Sequence, residues 1–289
     1  GSILMKGVIL AGGKASRLRP STIVMGKALL PIYNKPMIFY SVSLLIESGI
    51  DEIYIVCSPR DKKFYDDLFK DYKNYGVNIH IIVEEKPQGP GYCFKIVKEN
   101  GVYDDIILIF SDNLFLSKNI SDKITKNKEN LDGVVIFAKK VDDPRRFGVI
   151  EVDKNNIVKS IEEKPENPKS NIVTTGIMLF SKDVFDKVES LKLSKRGEYE
   201  TTDLNVMYLK EKRAKIEILD DDCEWLDTGT HKSLLEASIK ICDYEDNFGI
   251  YGSPEVSLFL SKKINMAQLL DMIKIYPKDY QESVLRRVK

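Results

Sequence analysis

The run LAGGKASRLRPST (10–22) concentrates residue types that hold phosphate. Gly12 and Gly13 let the backbone approach an anion closely, and successive N–H groups there can form an anion-binding nest. Arg17 and, further on, Lys27 add positive charge to that cradle. The run is not a dinucleotide fingerprint, because no third glycine opens the following helix, and it is not a P-loop, because GxxxxGK[ST] has no match. The plainer alternative is a tight turn with a solvated Arg17. Pro20, Thr22 and KALLP (27–31), following in order, weigh against it. Asp112 and Asp227 are the other candidates, the first just after DIILIF (105–110) and the second inside WLDTG (225–229). Either one alone reads equally well as a turn former or helix cap. Glu163-Lys164-Pro165, alone, reads as a solvated charged turn. Glu198, Glu200 and Asp203 fit an acidic helix start and N-cap.

The elements that must position these groups alternate. GVILA (7–11), EIYIVC (52–57), IHIIV (79–83) and DIILIF (105–110) are short and rich in Ile and Val, as parallel strands buried on both faces should be. Between them, residues 36–49 and 61–72 carry helical spacing, and Gly49 stops the first helix. This βαβ pattern predicts an α/β, doubly wound, mixed but mainly parallel sheet, with ligands at the carboxyl ends of its strands. Beyond about residue 130 the runs GVVIFAKKV, FGVIEVD, IVKSIEEK and VTTGIMLF predict antiparallel or mixed strands, and a helix-rich tail follows Thr230. The expected division is a core over 1–230, with parts at about 5–130 and 131–230, and a helical extension over 231–289 packed on that core. His231 is expected at a helix beginning as a structural residue, and Trp225 as a core anchor positioning Asp227.

Composition excludes several chemistries. The chain has 289 residues, with 44 Lys+Arg against 44 Asp+Glu, so nothing in its net charge attracts a polyanion and a nucleic-acid binder is not expected. With 43% hydrophobic and 30% charged residues it reads as an ordinary globule. The two histidines, His80 and His231, cannot build a histidine-rich metal site. The four scattered cysteines form no CxxC pair, and reduced thiols in a cytoplasmic protein are the default expectation. No apolar run approaches the roughly 20 residues of a membrane span. The opening GSILM lacks the marks of a secretion signal, and residues 1–4 read as an appended leader before Met5. Chemistry here falls to carboxylates, Lys and Arg.

LAGG…SRLRPST followed by GKALLPIYNKPMI resembles the signature of the sugar-1-phosphate nucleotidylyltransferases, and within them the short-form glucose-1-phosphate thymidylyltransferases. SDN (111–113), DPRRFGVIE (143–151), EEKPENPKSN (162–171), TTGIMLF (174–180), RGEYETTDLN (196–205) and WLDTGTH (225–231) follow in the family's order, so the resemblance runs almost end to end. It implies a Rossmann-like nucleotidyltransferase fold and transfer of a nucleotidyl group from a nucleoside triphosphate, dTTP first, to a hexose 1-phosphate, glucose 1-phosphate first, with release of pyrophosphate. It assigns Leu10, Ala11, Gly12, Gly13, Lys14, Ala15, Ser16, Arg17, Glu84, Gly89 and Asp112 to the nucleotide. It assigns Asn113, Gly148, Glu163, Lys164, Thr174, Thr175 and Gly176 to the sugar phosphate. Asp112 and Asp227 become the ligands of Mg²⁺, which two carboxylates from different segments can hold at an α-phosphate as Lewis acid and template. In catalysis Arg17 is expected to stabilise the leaving pyrophosphate, Lys27 the α-phosphate, and Lys164 to orient the attacking phosphate. The resemblance also implies a homotetramer or homodimer.

Several positions depart from the family pattern. The usual glycine two places before the loop Arg is Ala15, which costs roughly a kcal/mol if that position needs φ > 0. The glutamine that reads a pyrimidine edge aligns with Glu84, and an ionised carboxylate only accepts hydrogen bonds. It suits N3–H of thymine or uracil, the two donors of guanine, or the cytosine amine. Pro90 removes a backbone donor. Leu116-Ser117-Lys118 and Leu260 replace residues of a regulatory nucleotide site, so weak end-product feedback is expected. The alternatives are therefore the same reaction with UTP, CTP or GTP, or a catalytically impaired sugar-nucleotide-binding paralogue. A dinucleotide-dependent oxidoreductase is disfavoured by the missing third glycine.

Overall fold

The computed structural model describes residues 4–289; Gly1 to Ile3, part of the expected leader, lie outside them. Nine strands form one mixed sheet, in the order Val158–Glu163, Gly148–Val152, Ile172–Phe180, Asp105–Phe110, Met5–Leu10, Glu52–Cys57, Asn78–Val83. Val134–Lys140 pairs Ile172–Phe180, and Ala214–Ile218 pairs Val134–Lys140. The early strands pair in parallel, Met5–Leu10 with Asp105–Phe110 and Glu52–Cys57 with Asn78–Val83. The reason is the one legible in their composition: Ile106 to Ile109 and Ile53 to Cys57 are almost wholly buried apart from Tyr54 at the margin. Ile172–Phe180 is the antiparallel hub, and its register against Val134–Lys140 shifts between Thr174 and Met178.

Two compact units divide the chain: residues 1–10, 84–110 and 117–224 in one, and 11–83, 111–116 and 225–289 in the other. Residues 231–289, expected as an extension packed on the core, fall within the second unit. They fold into helices His231–Phe248, Pro254–Leu260, Met266–Ile273 and Lys278–Val288. Helix Met266–Ile273 begins where Asn265 and Gln268 make a capping box. In this second unit Ile32, Met37, Tyr40, Leu114, Leu226, Ala237 and Ile241 form one apolar cluster. The cluster fixes two short strands, Leu114–Leu116 and Glu224–Leu226, which pair with each other. Asp112 lies just before one and Asp227 just after the other.

Candidate active site

In the second unit the glycine loop leaves the sheet at Ala11, whose N–H donates to the Val56 carbonyl at 2.8 Å. Gly12, Gly13, Lys14, Ser16 and Arg17 are exposed, and Gly13 sits at φ +104° with open space where a side chain would lie. Ala15 adopts φ 44°, ψ 50°, the left-handed conformation that glycine takes without cost. Leu18 is buried at 1% and anchors the turn Ser16–Leu18. The Thr22 hydroxyl donates to the Ala15 carbonyl at 2.7 Å, which holds the strained residue in place.

Arg17, Lys27, Asp112 and Asp227, four of the expected phosphate and metal residues, lie in this unit. Lys27 Nζ lies 3.2 Å from Asp112 Oδ2. The Thr228 hydroxyl donates to the Asp112 main-chain carbonyl at 3.0 Å, which ties the segment of Asp227 to that of Asp112. Asp227 Oδ1 accepts the Gly229 N–H at 2.9 Å. A β-carbon at Gly229 would lie 3.0 Å from Arg17 Nη2 and 3.2 Å from Asp227 Oδ1, so a bare backbone here keeps both groups over one glycine. Thr228 and Gly229 carried no separate role in the sequence reading; their signal was membership of WLDTGTH. The helix that follows is capped by Thr230 with Ser233, and His231 Nε2 reaches the Arg19 carbonyl at 3.0 Å, a structural bond as expected. Trp225 is not the core anchor. It is half-buried and stacked on Phe115, while Leu226 beside it is 5% exposed and does the anchoring. Asn113, grouped by resemblance with the sugar phosphate, has its amide 3.3 Å from Asp112 Oδ1.

The first unit gathers the other group. Gly148 pairs with Glu163 across antiparallel strands. A β-carbon on Gly148 would lie 2.9 Å from Thr174 Oγ1 and 3.4 Å from Glu163 Oε2, which brings these three residues together. Glu163 Oε2 accepts the Thr202 hydroxyl, a contact that sequence reasoning missed because 39 residues separate the pair. Lys164 is exposed, at φ 45°, with its N–H bonded to the Phe147 carbonyl at 2.9 Å. Thr175 corrects the expected set: it is 3% exposed and its hydroxyl donates to the Phe137 carbonyl at 2.7 Å, so its side chain serves the strand. Gly176 is buried beside it. Glu200 occupies the N-cap position of helix Thr201–Lys210 without capping it; its carboxylate instead takes Arg196 at 2.9 Å.

Glu84 and Gly89 belong to this unit. Gly89, at φ +97°, faces the backbone of Tyr199, whose carbonyl oxygen would be 2.6 Å from a β-carbon. Close approach of these two segments therefore requires the glycine. Burial pushes the Glu84 carboxyl up to about 6.

Asp112 and Asp227 are exposed carboxylates, the first met by Lys27 at 3.2 Å and Asn113 at 3.3 Å and the second by the Gly229 N–H at 2.9 Å, and both offer hard oxygen donors. Such a set suits Mg²⁺, which binds one or two carboxylates and completes its shell with water and substrate phosphates.

The sequence matches the nucleotidyl transferase family over residues 6–244. The glucose-1-phosphate thymidylyltransferase of Neisseria meningitidis is 39% identical over 234 residues, 81% of each chain. That of Mycolicibacterium smegmatis is 38% identical over 252 residues, 87% of each. Among solved structures, that of a candidate glucose-1-phosphate thymidylyltransferase from Bacillus anthracis, in complex with a sucrose, superposes with a TM-score of 0.74 at 35% identity. It covers 82% of this chain and 94% of that one. A UDP-glucose pyrophosphorylase complexed with UDP-glucose shares the fold, with a TM-score of 0.72 at 21% identity. No helix among the described residues is long and apolar enough to cross a membrane. With the family match spanning residues 6–244 and relatives 38–39% identical over most of the chain, this chain belongs to the nucleotidyl transferase family and is a nucleotidyltransferase.

Proposed function

We propose that the enzyme transfers the nucleotidyl group of dTTP to glucose 1-phosphate, giving dTDP-glucose and pyrophosphate. The observation that carries this reading is the cluster of Lys27 on Asp112 with Arg17 and Asp227 over Gly229, in a chain 39% identical to a glucose-1-phosphate thymidylyltransferase.

A phosphate oxygen of the sugar attacks the α-phosphorus in line, the new P–O bond forms as the bond to the β-phosphate bridging oxygen breaks, and pyrophosphate leaves with that electron pair. No covalent enzyme intermediate is needed. Lys27 offsets charge on the α-phosphate, Arg17 offsets it on the leaving pyrophosphate, and Lys164 orients the attacking phosphate. Groups aimed at developing charge each contribute about 2–4 kcal/mol. The open space over Gly13 and the exposed residues of the loop suit the triphosphate. Glu163, with one oxygen held by Thr202, keeps the other for sugar hydroxyls. Asp112 and Asp227 would hold Mg²⁺, which supplies Lewis-acid polarisation of the phosphate when bound. The Thr175 side chain has no part.

Glu84 reconciles the reading with its departure from glutamine. A neutral carboxyl donates through O–H and accepts through C=O, the same pair of functions as an amide, so it serves thymine O4 and N3–H together. The ionised form, which only accepts, favours a second reading at alkaline pH, with guanine or cytosine as the better base. The family reading carries with it a homodimer or homotetramer. The deciding experiment is pyrophosphate release from dTTP, UTP, CTP and GTP with glucose 1-phosphate and Mg²⁺. Turnover with dTTP at least matching the others supports the proposal, and activity with GTP alone overturns the choice of base.

A further inference from the structure

The turn Pro59–Asp61 carries a buried carboxylate that the proposed chemistry does not use. Asp61 is 0% exposed, at the N-cap position of helix Lys62–Phe69, where an aspartate usually takes an N–H of its own helix. It makes no such bond. Its Oδ1 instead accepts the Gly26 N–H at 3.1 Å, thirty-five positions away in the chain. Its Oδ2 has no hydrogen-bond partner among the described residues. Its neighbour Arg60 adds a longer contact, Nε to Oδ1 at 3.5 Å, so the carboxyl group joins its own turn to residue 26.

The contacts on either side converge on one segment. Arg60 Nη1 donates to the Ile23 carbonyl at 2.7 Å, and its Nη2 reaches the Thr22 carbonyl at 3.5 Å. Thr22 in turn holds the Ala15 carbonyl. A β-carbon at Gly26 would lie 2.2 Å from Asp61 Oδ2, so residue 26 must lack a side chain for this approach to exist. Immediately after Gly26 comes Lys27, which starts the turn Lys27–Leu29 and whose ammonium lies 3.2 Å from Asp112.

We propose that Arg60 and Asp61 are a clasp for the phosphate loop, in which Asp61 fixes the backbone at Gly26 and thereby sets where Lys27 presents its ammonium. The proposal rests on the reading of Lys27 as a ligand of the α-phosphate. Asp61 touches no reacting atom in this account and is a positioning residue.

The test has one readout that needs turnover and one that does not. Lys27 is reductively ¹³C-methylated in the full-length protein, and its resonance is assigned by its loss in Lys27→Arg. In Asp61→Ala that resonance moves toward the position of a solvated lysine, and kcat for pyrophosphate release falls about tenfold or more, as displaced catalytic groups do, with KM for glucose 1-phosphate within about twofold. Asp61→Asn keeps an acceptor for Gly26 N–H and restores both the resonance and kcat to near the parent. If Asp61→Ala does not fold, Arg60→Met, at a half-exposed side chain, carries the same pair of measurements. An unmoved Lys27 resonance in the folded variant overturns the clasp. A parent without pyrophosphate release whose Lys27 resonance still responds to Asp61→Ala leaves the clasp standing and removes the catalytic reading.

Discussion

Glu84→Gln is the perturbation that most sharply separates two ways of reading a base. The Glu84 carboxyl is pushed up to about 6 by burial, so its neutral form predominates below that pH and is lost as pH rises through it. At pH 6 half of the enzyme carries the neutral, donor-plus-acceptor form; at pH 8 about 1% does, a difference of about fiftyfold. If only the neutral form recognises thymine, kcat/KM for dTTP with the free enzyme falls by about that factor between pH 6 and pH 8, beyond any change common to the other nucleotides. Kinetics with GTP should move the other way, because the ionised carboxylate gains in the same interval. Glu84→Gln, an amide at every pH, removes this component of the profile and raises kcat/KM for dTTP at pH 8. The assay is pyrophosphate release at subsaturating nucleotide, with the parent and variant measured over the same pH series. A parent profile for dTTP that superposes on that of Glu84→Gln refutes the role given to Glu84.

Arg17→Ala and Lys27→Met should each lower kcat by about 10²–10³-fold with the fold intact, as loss of a charge-stabilising donor does; unchanged turnover in a single-turnover assay sinks the assignment. Ala15→Gly places a residue free of the left-handed penalty in the loop, and the expected outcome is equal or faster turnover with dTTP; a loss beyond about tenfold shows that the Ala15 methyl contributes to the site. Lys35→Met strands the Glu245 carboxylate, which is 2% exposed and 2.6 Å from the Lys35 ammonium, at a cost of about 3–5 kcal/mol in urea denaturation. A shift below about 1 kcal/mol would mean that water reaches Glu245 once the partner is gone.

The strands Glu52–Cys57 and Asp105–Phe110 were legible to the residue, because a short Ile and Val run buried on both faces admits little else. The helix beginning at His231 was legible for a local reason too, since Thr230 and Ser233 form its cap. What failed to show was decided by alternation and by distance in the chain. In the three-residue strand Glu224–Leu226 neighbouring side chains point to opposite faces, so the larger Trp225 lost the core position to Leu226. The same alternation sends Thr174 toward Gly148 and Glu163 and Thr175 toward the Phe137 carbonyl. The hold of Thr202 on Glu163, and the approach of Arg17 and Asp227 to the same glycine, Gly229, come from tertiary structure with no local periodicity to announce them. Resemblance supplied the site residues; only the folded chain supplies their partners.

The proposed reaction is a direct, in-line nucleotidyl transfer between dTTP and glucose 1-phosphate. ³¹P NMR of enzyme with both substrates and Mg²⁺ tests it most directly. The expected outcome is dTDP-glucose and pyrophosphate resonances growing one for one, with neither appearing when either substrate is omitted. Pyrophosphate released from dTTP in the absence of glucose 1-phosphate, leaving a nucleotidylated enzyme, would contradict it.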